Sequence, residues 1–124
     1  MSHFIDARYA GIHLIIDLWE ADPEILKNSE VVRAGLISAA RRAGATVLSD
    51  SFHYFGAECG VTGVVVLAES HISIHTWPED GYAAVDIFMC GTCDPRCAVD
   101  EIVTSLKATK HTTNLFYRGL ESKQ

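Results

Sequence analysis

A chain of 124 residues is long enough for one domain with a modest core, and 48% hydrophobic against 21% charged residues excludes a disordered chain. The formal charge of -6, with no run of Lys or Arg, argues against nucleic acid as a partner. The longest apolar stretch, Val64 to Ala68, is too short for a membrane span, and Met1-Ser2-His3-Phe4-Ile5-Asp6 does not read as a signal peptide, so a cytoplasmic location is expected.

Along the chain, Ile12 to Trp19 alternates with a period of two and predicts a strand. Asp22-Pro23-Glu24 is a helix start, with Asp22 as cap and Pro23 at the first position. Apolar Ile25, Val32, Leu36, Ala39 and Ala43 form the buried stripe, Asn28-Ser29 divides the segment, and Gly44 stops it. Thr46 to Phe55 returns to extended chain, residues 56–60 form a loop, and Val61 to Ala68 reads as a buried strand. His71 to Trp77 alternates again until Pro78, the turn Glu79-Asp80-Gly81 follows, and Tyr82 to Met89 is the next strand. Asp94-Pro95 repeats the helix start, with Ala98, Ile102, Val103 and Leu106 facing inward. His111 to Tyr117 completes the strands, and Glu121 to Gln124 is expected to fray. The two Asp-Pro starts hint at an internal β-α-β duplication that no further identity supports. The fold expected is α+β, a two-layer sandwich of a mostly antiparallel sheet with helices on one face, in a single domain spanning 1–124.

Chemistry concentrates in Ala68-Glu69-Ser70-His71-Ile72-Ser73-Ile74-His75-Thr76-Trp77-Pro78-Glu79, which holds two histidines, two serines and two carboxylates. A polar strand face is in general more often solvated than functional. On a helix, His71 and His75 would share a metal ion; on a strand they stand about 13 Å apart at roughly 3.3 Å per residue, and no metal is expected there. Cys90-Gly91-Thr92-Cys93 allows a redox reading, since a C-x-x-C between a strand and a helix start is where thioredoxin-like proteins keep theirs. That reading leaves the Glu-Ser-His segment unused. In a reducing compartment the four cysteines, Cys59, Cys90, Cys93 and Cys97, are expected as thiols rather than disulfides.

Glu69-Ser70-His71, Ile74-His75-Thr76-Trp77-Pro78-Glu79, Tyr82-Ala83-Ala84-Val85-Asp86-Ile87-Phe88 and Cys90-Gly91 together resemble the central motifs of prokaryotic S-adenosylmethionine decarboxylase proenzymes. The likeness extends through Gly11-Ile12-His13-Leu14, Ala43-Gly44-Ala45-Thr46, Phe52-His53 and Gly63-Val64-Val65-Val66. It implies a pyruvoyl-dependent enzyme that cleaves itself between Glu69 and Ser70 into chains 1–69 and 70–124.

The chemistry of serine is consistent with that implication. Decarboxylation needs an electrophilic carbonyl to hold the carbanion's electrons, and a chain without an obvious pyridoxal-phosphate lysine can make one from serine. Ser70 Oγ attacks the Glu69 carbonyl carbon, loss of the Ser70 α-proton frees the Glu69 carboxylate, and hydrolysis leaves pyruvate as a covalent cofactor.

By the same resemblance, Ser70 becomes the pyruvoyl residue that forms a Schiff base with substrate, and His75 accepts the proton during processing. Thr62 stands where the family has a serine that supports processing, and Cys90 is the proton donor in decarboxylation. Phe55 matches the residue that stacks on adenine, and Glu79 the acidic residue of the nucleoside pocket. Read without the resemblance, Cys90 is a small buried hydrophobe, Phe55 a core aromatic and Glu79 a turn carboxylate. The family's small members are dimers with sites drawn from both protomers, so a homodimer acting on S-adenosylmethionine for spermidine synthesis is implied. The loop 56–60, with its extra residue and Glu58, departs from the common family pattern, as do Met89 and Asp80. An acidic pocket there suits arginine or ornithine, the alternative substrates.

Overall fold

The computed structural model describes residues 9–119, so the expected fraying of Glu121 to Gln124 falls outside the described residues. Six strands form one antiparallel sheet: β1 (Gly11–Trp19), β2 (Val47–Tyr54), β3 (Val61–Leu67), β4 (Ser70–Trp77), β5 (Tyr82–Cys90) and β6 (Lys110–Arg118). Their spatial order is β2-β3-β4-β5-β1-β6. Helices α1 (Pro23–Leu26), α2 (Ser29–Arg42) and α3 (Pro95–Leu106) lie against one face, and a 3-10 turn (Pro78–Asp80) links β4 to β5. The α+β expectation holds, and every strand pair is antiparallel.

Each helix starts where its cap directs. Asp22 accepts from the Glu24 N–H and Asp94 from the Arg96 N–H. Asn28 accepts from Glu30 and Val31, and so divides α1 from α2 as the sequence suggests. Gly35 marks the close approach of α2 to α3, because a Cβ there would meet the Ser105 Cβ at 2.9 Å.

Strand alternation gives the sheet two unlike faces. Leu14, Ile16 and Leu18 of β1, Ile72 and Ile74 of β4, and Ile87 and Met89 of β5 are buried with Leu26, Val32, Leu36, Ile102 and Leu106 of the helices. Fully burying a side chain of this kind is worth roughly 1.5–3 kcal/mol, so this layer dominates stability. The opposite face carries His13, Asp17, His71, Ser73, His75, Trp77, Tyr82, Asp86 and Phe88, none of them buried. Tyr82 donates to Asp17 at 2.5 Å, which with burial pushes its phenol up to about 12. The edge strand β6 is exposed along its whole length.

One buried hydroxyl joins three elements. Thr76 Oγ1 accepts from the Val61 N–H at 2.8 Å and donates to the Leu26 carbonyl at 2.7 Å. Thr76→Val would leave both backbone groups unpaired, an expected loss of roughly 1–3 kcal/mol in urea unfolding. Thr113→Val on exposed β6 should change stability by less than about 0.5 kcal/mol.

Candidate active site

The β3–β4 hairpin turns on Ala68 and Glu69, between the paired residues Leu67 and Ser70. Glu69 has φ of 63°, left-handed for a residue with a Cβ, which costs roughly 1–2 kcal/mol. The carbonyl of that residue belongs to the bond expected to break. Register sets what lies beside it: His71 pairs with Phe88, so two residues further Cys90 stands across from Glu69. The Cys90 thiol donates to the Glu69 carbonyl at 3.1 Å, and its sulfur lies 3.9 Å from Ser70 Oγ.

The chain matches the family model for S-adenosylmethionine decarboxylase over residues 12–119. It is 48% identical over 111 residues to the S-adenosylmethionine decarboxylase proenzyme of Caldicellulosiruptor saccharolyticus, with 89% of each chain covered. To that of Thermococcus onnurineus it is 44% identical, over 90% of this chain and 79% of the relative. The crystal structure of the adenosylmethionine decarboxylase from Aquifex aeolicus superposes with a TM-score of 0.82 at 39% identity, covering 95% of this chain and all of that one. The chain belongs to the S-adenosylmethionine decarboxylase family.

The other expected site residues gather elsewhere in this member of the family. Phe55, Thr62, His75 and Glu79 line a cavity of about 350 Å3 with Glu58, Cys59 and Trp77. His75 Nδ1 is 3.1 Å from Thr62 Oγ1 across the β3–β4 pair. Phe55 is exposed and packs on His53, ring centroids 4.4 Å apart. Gly60 lets the loop pass against β4, since a Cβ there would fall 1.9 Å from the Thr76 carbonyl oxygen. Of the two departures in charge, Glu58 faces Lys27 at 3.3 Å, and Asp80 does not line the cavity.

Ser70 and His75 are not brought together within one protomer. Five residues along a strand span about 16 Å and reverse the facing of the side chain. The expected nucleophile, Ser70, stands at one end of β4, and the expected base, His75, with the expected nucleoside pocket, stands at the other.

Of the remaining cysteines, Cys59 and Cys97 are exposed thiols. Cys93 is half-buried, and burial, then the neighbouring Cys90, pushes its thiol up.

Between the two ends lies a polar network that sequence reading does not anticipate. Asp86 of β5 accepts from His13 Nε2 of β1 at 2.7 Å and His71 Nε2 of β4 at 2.9 Å, both on Oδ2, while Ser73 donates to Oδ1. Arg118 of β6 donates to His13 Nδ1 at 2.8 Å, so the His13 proton sits on Nε2 and points at Asp86. The two histidines and the carboxylate are the one group of three among the described residues spaced to hold a metal ion. In this arrangement they are donors and acceptor to each other, not lone pairs facing a common centre. Alternation along β4 put His71 on the open face, but only strand order reveals His13 and Asp86 beside it.

Burial pushes the Asp86 carboxyl up, and hydrogen bonds from Ser73, His13 and His71 outweigh it, holding the group below the ordinary 3.8. A depressed carboxyl adds stability above its unfolded value and loses it as pH falls through the folded one. Wild type should therefore exceed Asp86→Asn in stability at pH 7 and pH 5, the gap closing only as pH falls below 3.8. Urea unfolding at each pH measures this; a gap that closes between pH 7 and 5 would contradict it.

Proposed function

We propose that this chain is a proenzyme that cleaves itself between Glu69 and Ser70 and then decarboxylates S-adenosylmethionine. Decarboxylated S-adenosylmethionine is the aminopropyl donor for spermidine. The observation that carries the reading is the Cys90 thiol on the Glu69 carbonyl with Ser70 Oγ beside it.

In the precursor, Ser70 Oγ adds to the Glu69 carbonyl carbon and the C–N bond breaks, converting the amide to an ester. Removal of the Ser70 α-proton expels the Glu69 carboxylate, and water releases ammonia to leave the new end of chain 70–124 as a pyruvoyl group. That group supplies the electron-accepting carbonyl that decarboxylation requires. Cys90 then donates a proton to the substrate α-carbon, from the side of the residue it already touches.

His75 removes the α-proton, and it must come from a second copy of the chain. A two-fold axis through the open sheet face, near Ser73 and Asp86, lays the Ser70 end of one β4 over the His75 end of the other. Because such an interface is isologous, it forms two equal sites at once. The face suits burial: a polar centre is ringed by half-exposed Ile15, Trp19, Val66 and Trp77. Within each composite site, His75 Nδ1–H donates to Thr62, leaving Nε2 free as the base, and the Thr62 hydroxyl turns toward the scissile carbonyl. Phe55 takes the adenine ring and Glu79 the ribose. The compartment is the cytoplasm, where four thiols stay reduced. No helix among the described residues is long and apolar enough to cross a membrane.

Two tests follow. Ser70→Ala and His75→Ala proteins should each remain intact chains, whereas co-expression should yield chains 1–69 and 70–124 from the His75→Ala copy alone. Denaturing mass spectrometry distinguishes them, and cleavage of His75→Ala by itself would remove His75 from the reaction.

Phe55→Ala, at matched pyruvoyl content, should raise KM for S-adenosylmethionine by about 5- to 150-fold, the equivalent of one lost base stack. Glu58→Gln should leave it within about twofold, because Glu58 is exposed and already faces Lys27. The reverse pattern, with turnover of arginine or ornithine, would give the site a different substrate.

A further inference from the structure

Breaking the Glu69–Ser70 bond alters the mechanics of β4, a central strand. Before cleavage, the two-residue turn ties β4 to β3 covalently and fixes the Leu67–Ser70 pair. Conversion of Ser70 to a pyruvoyl group also deletes its backbone nitrogen, so that pair loses a donor. The first complete residue of the new chain is His71, and strand ends with few side-chain anchors open readily. The pyruvoyl carbonyl must nonetheless stay fixed beside Cys90.

His71 is held unusually well for a first residue. Its Nε2 donates to Asp86, its ring stacks on Phe88 with centroids 6.2 Å apart and planes 25° apart, and Ser73 reaches the other oxygen of the same carboxylate. Asp86 is held from the far side by His13, whose tautomer is set by Arg118. The clamp therefore spans β4, β5, β1 and β6, and three of its anchors lie on strands that cleavage does not touch.

Resting on the self-cleavage proposed above, we infer that Asp86 is a positioning residue for turnover. It holds His71 and Ser73 so that the pyruvoyl end cannot fray from Cys90 once the hairpin is cut. In the uncut precursor the covalent turn already does this, so self-cleavage depends on Asp86 far less than decarboxylation does.

Asp86→Ala should self-cleave within about threefold of the wild-type rate, while its kcat, at matched pyruvoyl content, falls by about tenfold and KM moves less. His71→Phe keeps the stack and loses the donor, and should show the same split more weakly. Asp86→Asn should recover most of kcat, since its amide oxygen can face the two histidines and its NH2 can donate to Ser73.

Hydrogen exchange separates clamping from general stability. Asp86→Ala should lose amide protection over residues 71–74 in the cleaved protein and keep it in the Ser70→Ala background. Equal loss of protection in both backgrounds, or equal losses in self-cleavage and kcat, would overturn the inference. If Asp86→Ala does not fold, His71→Phe carries the same comparison. An intact wild-type chain by mass spectrometry would instead refute the self-cleavage on which the inference rests.

Discussion

Antiparallel pairing of β4 with β5 sets Ser73 opposite Asp86 and His71 opposite Phe88, and by continuation sets Glu69 at Cys90. One register thus fixes the Cys90 thiol on the Glu69 carbonyl and the Asp86 carboxylate on His71 and Ser73. A slip of one residue would turn Cys90 and Asp86 toward the helices and carry Ile87 and Met89 to the open face. Burial of Ile72, Ile74, Val85 and Ile87 against the helical layer opposes that slip. Core and chemistry are therefore specified by the same alternation: odd residues of β5 hold the sheet to the helices, and even residues present the site.

The open face divides its labour by position. Its ends carry reactive groups, its middle a closed hydrogen-bond network, and its margin half-exposed aromatic and branched side chains. Trp19, Tyr82 and Trp77 stack in sequence across β1, β5 and β4, with centroids 4.5 and 5.3 Å apart. This row is aromatic and incompletely covered, which is how interface aromatics behave when a second surface completes their burial. At the centre both Asp86 oxygens already accept hydrogen bonds, so covering the network does not leave that carboxylate without donors.

Much of this was legible along the chain because it is local. Period-two alternation located β1 and β4, a buried apolar run located β3, the turn at residues 79–81 located the start of β5, the Asp-Pro pairs located two helix starts, and Asn28 divided α1 from α2 through its own side chain. The 3-10 turn at Pro78–Asp80 and the left-handed Lys107 that ends α3 carried weaker signals, the latter because no glycine marks it. What could not be read was long-range. His13, Asp86 and Arg118 are separated by 73 and 105 residues in their bonds, and only the strand order β2-β3-β4-β5-β1-β6 makes them neighbours. The separation of Ser70 from His75 was implicit once the strand was recognised. Five residues give opposite faces, and the strand rise that sets His71 and His75 about 13 Å apart also separates Ser70 from His75 within one chain.

Under the proposed dimer, placing Ser70 and His75 on different protomers makes assembly a precondition of processing. A lone protomer holds Ser70 and Cys90 at one end and Thr62 and His75 at the other, so under the proposed dimer its peptide bond survives until a second copy arrives. The order matters physically. A cut made in a free monomer would release a strand end whose only restraint is its ladder and the Asp86 clamp. Made inside the proposed dimer, the same cut would fall in a segment covered by the partner's sheet, and the left-handed strain at Glu69 would be relieved without opening the site. Under the proposed dimer each active site would draw Phe55 and Thr62 from chain 1–69 and Ser70, His75, Glu79 and Cys90 from chain 70–124, and binding that favours the assembled state over the separated one stabilises every element contributing to it.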